Sequence, residues 1–194
     1  MRSKGRILIA LFTFLSLSVM AQEVSNNTAL LVIDIQEFYF PGGDMALSGP
    51  EKATSNTLEL IKYFRDNGRP VIYVRHNYEP GGKIYETIKP DKGDMVFSKD
   101  KANAFLGTGL GEYLKDTGIE SLVICGMQTH MCVEAATRAA SDMGYNCILI
   151  HDACATRDLK FNDKVVKAED VHASTLSTLR SYAKIMSTEE FISR

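Results

Sequence analysis

The chain has 194 residues, with 22 Lys and Arg against 24 Asp and Glu, which gives a formal net charge of −2 at neutral pH. A nucleic-acid-binding domain would carry a basic excess, so this balance argues against a nucleic-acid partner. The length suits a single domain with a sizeable hydrophobic core.

The N-terminal segment has the pattern of a secretory leader. Residues 1–6 are basic, residues 7–20 form an apolar run, and Ala21 follows at a small-residue site. This pattern predicts a signal peptide over residues 1–21 and export to the periplasm or the medium; an uncleaved N-terminal anchor is the alternative. Its removal leaves one domain, residues 22–194, with 19 Lys and Arg against 24 Asp and Glu, a net charge of −5, and no expected membrane contact.

Apolar runs of strand length alternate with segments of helical period through the rest of the chain. We predict strands at 28–33, 70–74, 95–97, 123–125, 146–150 and 183–186, and helices at 50–67, 110–115, 132–143 and 168–182. This alternation predicts a three-layer, doubly wound α/β fold, whose mainly parallel sheet carries helices on both faces.

Cys132 lies where the central strand passes into a helix. The apolar run at 123–125 breaks at Gly126, and small residues at helical spacing follow Cys132 as far as Gly144. Unpaired N–H groups at a helix start favour negative charge, so a thiolate is expected to be stabilised there and to act as a nucleophile. The alternative is that Cys132 is a buried, inert core residue.

Polar residues follow several of the predicted strands, and a parallel sheet brings the carboxyl ends of its strands together. These residues are Asp34, His76, Lys99, Cys132 and Asp152. A buried Asp34 needs a partner, and Lys99 is a plausible one, although an isolated lysine is usually solvated. Cys132, Asp34 and Lys99 would then supply a nucleophile, a base and a cation that orients the other two. For Asp152 we favour a capping role instead.

The four cysteines, at positions 125, 132, 147 and 154, are an even count in a chain predicted to be exported. A disulfide framework is nevertheless disfavoured, because the domain is larger than the scaffolds that need one and Cys125 and Cys147 lie in apolar runs typical of strands. The sequence has no CxxC pair and only 4 His, which gives little support to a structural zinc site.

Several separated motifs together resemble the isochorismatase-like cysteine hydrolases, which include nicotinamidases, N-carbamoylsarcosine amidases and isochorismatase. The matching segments are Leu30-Leu31-Val32-Ile33-Asp34-Ile35-Gln36, Ser98-Lys99 with Ala104-Phe105, Gly126-Met127-Gln128-Thr129-His130-Met131-Cys132-Val133, Asp152-Ala153, and His172 with its helix. The match runs in order over nearly the whole mature chain.

The resemblance implies a catalytic triad of Asp34, Lys99 and Cys132. Cys132 would attack an amide carbonyl and form a thioester, Asp34 would carry the proton, and Lys99 would lower the thiol pKa and keep Asp34 ionised. A cis peptide bond between Met127 and Gln128 would direct the Gln128 N–H toward the oxyanion, alongside the Cys132 N–H. We favour hydrolysis of an amide. The alternatives are that the protein hydrolyses an enol ether, or that it is an exported binding protein of the same fold without catalytic activity.

The resemblance further implies a substrate pocket lined by Gln36, Phe40, Phe105 and Thr129, against which ordinary packing or capping is the alternative for the last three. Nicotinamidases usually have an Asp-x-His pair after the second strand, whereas this chain has His76 alone. We therefore expect no metal and no other cofactor, and assign His76 to substrate contact or to structure. The partners implied are a small-molecule substrate and further copies of the chain, in a dimer or a tetramer.

Overall fold

Six parallel strands form the centre of the molecule, which a computed structural model describes over residues 27–194. The strands are β1 (Thr28–Ile33), β2 (Val71–His76), β3 (Met95–Lys99), β4 (Ser121–Met127), β5 (Asn146–Ala155) and β8 (Lys184–Met186). Their order in the sheet is β3-β2-β1-β4-β5-β8, and every neighbouring pair is parallel. The remaining two, β6 (Leu159–Phe161) and β7 (Lys164–Val166), pair with each other as an antiparallel hairpin.

Helices cover both faces of the sheet. They are α1 (Pro50–Asp66), α2 (Leu110–Asp116), α3 (Glu134–Asp142), α4 (Ala168–Leu179) and α5 (Thr188–Ile192). Apolar residues of α1 and α5, such as Phe64 and Phe191, pack with one buried cluster. Those of α2, α3 and α4, such as Leu114, Ala140 and Leu179, pack with a second cluster. The predicted three-layer, doubly wound fold is confirmed.

Strand β1 shows why the sheet is buried on both sides. Leu30 and Val32 belong to the first cluster, whereas Leu31 and Ile33 belong to the second. Successive side chains of a strand point to opposite faces, so a continuous apolar run satisfies two layers at once. Fully burying one such side chain contributes about 1.5–3 kcal/mol. The burial holds β1 at the centre of the sheet, with Asp34 directly beyond its carboxyl end.

Strand β5 extends further than the sequence predicts. It was expected to end at Ile150, but it pairs again with β4 after an irregularity, where Gly126 lies opposite Cys154. Residues 150–153 of β5 lie between the two stretches that pair with β4. Asp152 therefore lies within β5 and not beyond its end, which corrects its predicted placement.

Two smaller elements, the β6–β7 hairpin and helix α5, are absent from the predicted set. The predicted signal peptide, residues 1–21, lies outside the described residues. Within residues 27–194, no helix is long and apolar enough to cross a membrane.

Candidate active site

Three strands deliver the predicted triad to one edge of the sheet. Asp34 follows β1, Lys99 ends β3, and Cys132 lies in a π-helical turn (Thr129–Val133) between β4 and α3. The turn is fixed by the Gln128 carbonyl, which accepts hydrogen bonds from the N–H groups of Met131 at 3.1 Å and Val133 at 3.3 Å. The peptide bond between Met127 and Gln128 is cis, as the resemblance implies.

Lys99 joins the other two members. Its Nζ lies 2.7 Å from Asp34 Oδ2 and donates to Cys132 Sγ at 3.2 Å. Asp34 is 0 % exposed, Lys99 1 % and Cys132 5 %, so the contacts are shielded from bulk water. Charges in such an environment interact more strongly than they do at the surface. The structure thus brings together the three residues that the sequence proposes as catalytic.

His76 is the fourth member of this cluster. Its Nδ1 lies 3.1 Å from Lys99 Nζ. Ligand atoms of Asp34, His76 and Cys132 lie within 4.8 Å of one another, a spacing that a metal ion could bridge. The Lys99 ammonium, however, is in contact with all three, and it would repel a second cation at that position. The residues present therefore do not suit a resident metal.

The ionisation of the cysteine differs from the expectation. Burial, reinforced by the negative charge of Asp34, raises the pKa of Cys132 to about 12, and Lys99 opposes this only in part. Lys99 lowers the thiol pKa, as the resemblance implies, but desolvation and Asp34 outweigh it, so the expected net stabilisation of a thiolate is wrong. Burial also raises the pKa of Asp34 above its usual 3.8, against the attraction of Lys99. A protonated thiol beside a buried carboxyl group needs a base before it can attack.

Gln36, expected in the substrate pocket, is hydrogen-bonded within the protein. Its Nε2 donates to the carbonyls of His76 at 2.9 Å and Gly82 at 2.7 Å, while its Oε1 accepts from the His76 N–H at 2.7 Å. The buried carboxamide thus fixes the end of β2, and with it the backbone that carries His76. Its contacts connect it with the site through the His76 backbone.

The other expected pocket residues contact several different parts of the protein. Phe40 stacks on Tyr85 with ring centroids 3.5 Å apart, beside a surface cavity whose lining includes no triad residue. Phe105 is half-buried, and its ring lies 6.3 Å from that of Tyr145. The Thr129 hydroxyl donates to the Ala155 carbonyl at 3.2 Å and lies 2.9 Å from His172 Nδ1. Thr129 shares a helical turn with Cys132, and Phe105 packs against the buried cluster that contains Cys132. A role in substrate binding stays a prediction for all three residues.

A polar cleft borders the cluster on the His76 side. Its volume is about 300 Å³, and it is lined by Arg75, His76, Asn77, Tyr78, Glu79 and Gly82. His76 is half-buried and is the residue shared by the cleft and the buried cluster. It therefore connects the surface of the molecule with the triad.

Two residues near the site were not singled out from the sequence. The Tyr39 hydroxyl accepts a hydrogen bond from Gln128 Nε2 at 3.3 Å, and burial raises its pKa. Arg157 lies close enough to influence the charge of Tyr39, and its buried Nε has no hydrogen-bond partner among the described residues. The aromatic run at residues 38–40 is the sequence signal that could indicate Tyr39. Arg157 lies two residues after Ala155, where β5 ends, and the predicted end of this strand at Ile150 gives no such signal.

Asp152 has the capping role favoured for it. Its Oδ1 accepts hydrogen bonds from the N–H of Thr188 at 2.8 Å and from the Thr188 hydroxyl at 2.9 Å. These contacts stabilise the first turn of α5, and they direct the carboxylate to that helix.

A family model described as the isochorismatase domain matches residues 28–190, a span that includes the whole cluster. The chain belongs to the isochorismatase family. The isochorismatase family protein YddQ of Bacillus subtilis is 42 % identical over 86 % of this chain and 99 % of its own length.

Two relatives have names that state a reaction. A streptothricin hydrolase of Streptomyces noursei is 31 % identical over 68 % of this chain and 55 % of its own length. A maleamate amidohydrolase of Pseudomonas putida is 27 % identical over 66 % of this chain and 72 % of its own length. Both of these similar proteins are hydrolases by name.

A solved structure supports the same assignment. The isochorismatase hydrolase of Oleispira antarctica superposes with a TM-score of 0.84 at 41 % identity. The alignment covers 89 % of this chain and 99 % of that one. The six-stranded sheet and its flanking helices are therefore the fold of this family.

Proposed function

We propose that this isochorismatase-family protein is a cysteine-dependent amidohydrolase that cleaves a small amide or carbamoyl compound through a thioester on Cys132. The observation that carries the proposal is the buried arrangement in which Lys99 Nζ contacts both Asp34 Oδ2, at 2.7 Å, and Cys132 Sγ, at 3.2 Å. The relatives named streptothricin hydrolase and maleamate amidohydrolase favour this chemistry over the cleavage of an enol ether.

The first half of the reaction needs a proton acceptor. Because the thiol pKa is raised to about 12, Cys132 is protonated at neutral pH, and Asp34 takes its proton as the sulfur attacks the carbonyl carbon. The C–N bond then breaks, and the departing amine receives that proton from Asp34. Lys99 offsets the negative charge that Asp34 carries before the transfer.

The second half regenerates the enzyme. Water attacks the thioester carbon, Asp34 accepts a proton from the water, and the sulfur leaves and is reprotonated as the carboxylic acid is released. Each tetrahedral intermediate carries an oxyanion, and the N–H groups of Gln128 and Cys132 are the proposed donors. In the part of the chain that the structure describes, the Gln128 N–H donates to no other acceptor.

The experiment is a measurement of ammonia release from a panel of small amides, including nicotinamide, carbamoylated amines, ureido compounds and biuret. The wild-type chain is compared with Cys132→Ala and with the matched control Cys147→Ala, since Cys147 is also buried and free but lies at the start of β5. We expect turnover of at least one amide in the wild type and in Cys147→Ala, and none in Cys132→Ala.

Labelling with a thiol reagent separates the remaining outcomes. If Asp34 deprotonates Cys132, then Cys132 reacts faster than the other three cysteines, and Asp34→Asn removes that advantage. If no amide of the panel releases ammonia and Cys132 is labelled no faster than Cys147, the protein is better explained as a hydrolase of another bond or as a binding protein.

A further inference from the structure

The ammonium of Lys99 determines which nitrogen of His76 carries a proton. Lys99 has three N–H donors and no acceptor. Its Nζ makes an ion-pair contact with Asp34 Oδ2 at 2.7 Å and hydrogen-bond contacts with His76 Nδ1 at 3.1 Å and Cys132 Sγ at 3.2 Å. Because the ammonium cannot accept a hydrogen bond, His76 Nδ1 is the acceptor in the bond that it shares with Lys99.

His76 is neutral in this arrangement. Burial and the positive charge of Lys99 lower the pKa of His76 below its usual 6.5, while Asp34 and Asp100 oppose this more weakly. A neutral imidazole has one donor nitrogen and one acceptor nitrogen. Since Nδ1 is the acceptor, the proton is on Nε2.

The backbone on either side holds the ring in this position. His76 is the last residue of β2, and its N–H and carbonyl both bond to the buried carboxamide of Gln36, at 2.7 and 2.9 Å. The Asn77 N–H donates to the Lys99 carbonyl at 2.8 Å, which ties the ends of β2 and β3 together. The imidazole is therefore preorganised beside the nucleophile, and it does not depend on a mobile loop.

A ligand in the cleft beside the triad can accept a hydrogen bond from the His76 Nε2–H. His76 lines this cleft of about 300 Å³ together with Arg75, Asn77, Tyr78, Glu79 and Gly82. Among the described residues, Nε2 has no hydrogen-bond partner, so its N–H is available to a ligand.

We propose that His76, through its Nε2–H, binds a second oxygen of the substrate, so that the enzyme selects small amides that carry a carbonyl or carboxylate group in addition to the scissile amide. This inference rests on the proposed amidohydrolase function and names its substrate class. A site built to pair with a substrate group discriminates strongly against an analogue that lacks the group. His76 is thus a specificity residue, placed where Lys99 fixes its tautomer.

Three amides of matched chain length test the selectivity. They are succinamate, which carries a carboxylate, 4-oxopentanamide, which carries a neutral carbonyl, and pentanamide, which carries neither. We expect the wild-type kcat/KM to be at least about tenfold higher for one or both of the first two than for pentanamide, as the loss of a specific hydrogen bond predicts. If only succinamate has the higher kcat/KM, the cleft selects an anionic group. If succinamate and 4-oxopentanamide both have it, the cleft selects any oxygen that accepts a hydrogen bond.

Two variants of His76 separate substrate binding from support of Lys99. His76→Asn places a carboxamide oxygen near the Nδ1 position, where it can still accept from Lys99, but its shorter side chain provides no donor at the Nε2 position. His76→Gln reaches the Nε2 position and retains a donor there. We expect the selectivity ratio over pentanamide to fall to about one in His76→Asn and to be largely kept in His76→Gln. If Asn and Gln reduce kcat/KM for all three amides by the same factor, His76 only supports Lys99 and the proposal is wrong.

A measurement that requires no turnover tests the inference by itself. In Cys132→Ala, ¹⁵N NMR of His76 is expected to show the Nε2–H tautomer, with resonances that shift saturably on addition of succinamate or 4-oxopentanamide but not of pentanamide. The Nδ1–H tautomer, or an equal response to all three compounds, would overturn it. A specific shift without ammonia release by the wild type would retain the acceptor-binding cleft and reject the amidohydrolase.

Discussion

Gly126 and Ile33 are register partners on neighbouring strands, and they approach so closely that a Cβ atom on Gly126 would lie 2.0 Å from the Ile33 carbonyl oxygen. Gly126 also has a φ of +130°, which side chains rarely permit. The contact fixes the ends of β1 and β4 relative to each other. Asp34 follows the first of these strands, and the turn that holds Cys132 follows the second.

The first prediction concerns this contact. Gly126→Ala must separate two backbones, so we expect a loss of about 3 kcal/mol or more in the free energy of unfolding, measured by urea denaturation. Gly118→Ala is the matched control, because Gly118 also has a positive φ, +68°, but has no atom within 4 Å of the added Cβ. It should cost only about 1–2 kcal/mol, the strain of the left-handed conformation. Equal losses in the two variants would show that the clash is relieved at little cost.

The second prediction concerns the buried ion pair. Lys99→Met leaves the Asp34 carboxylate buried without its cation, so we expect it to lower the free energy of unfolding by about 3–5 kcal/mol at neutral pH. Adding Asp34→Asn should recover most of this loss, since the double variant removes both desolvated charges and Asn tolerates the positive φ of 48° at this position. Thermal denaturation of the two variants provides the measurement. A double variant less stable than Lys99→Met would mean that packing at position 34 matters more than its charge.

The third prediction is the pH dependence of the proposed hydrolysis. Asp34 must be ionised to accept the thiol proton, and its raised pKa means that protonation sets in at a higher pH than for an ordinary carboxyl group. We therefore expect kcat/KM to fall, as the pH is lowered, along an acid limb whose midpoint lies above 3.8. In Lys99→Met, any residual activity should show the limb at higher pH, because the lysine charge lowers the Asp34 pKa.

The fourth prediction separates Asp152 from the catalytic machinery. Asp152→Ala removes both hydrogen bonds to Thr188, and we expect a loss of about 1–2 kcal/mol in stability, as for a lost helix cap. Asp152→Asn keeps one acceptor oxygen and should lose less. Steady-state kinetics should give an unchanged kcat in both variants at a temperature where they are folded. A fall in kcat of tenfold or more in Asp152→Asn would place this residue in the reaction after all.

The fifth prediction concerns metal ions. Because the Lys99 ammonium contacts Asp34, His76 and Cys132, a cation has no favourable position among them. Dialysis against EDTA should therefore leave the rate of ammonia release unchanged. A loss of activity that zinc restores would contradict this expectation.

The convergence of Asp34, Lys99 and Cys132 follows from the sequence because it depends on topology. Each residue is at or just beyond the carboxyl end of a strand whose apolar run is plain, and parallel strands bring such ends to one edge. The irregularity of β5 is harder to predict, since it depends on how β5 pairs with β4 and not on a local pattern. The position of Asp152, and the nearness of Arg157 to the site, both depend on it.

The raised pKa of Cys132 could not be predicted from the helical turn alone. A prediction of the Cys132 pKa from the sequence takes account of the helical turn and of Lys99, both of which favour a thiolate. Burial and the neighbouring Asp34 favour the thiol, and they appear only once the chain is folded. Tyr39 was overlooked beside Phe40 for a similar reason, because its contact with Gln128 joins segments 89 residues apart.

All four cysteines of the chain are free and buried. The fold is therefore held together by packing and hydrogen bonds with no disulfide among these four residues. Of the four sulfur atoms, the proposed reaction uses that of Cys132. Oxidation of Cys132 would therefore stop turnover while leaving the sheet intact.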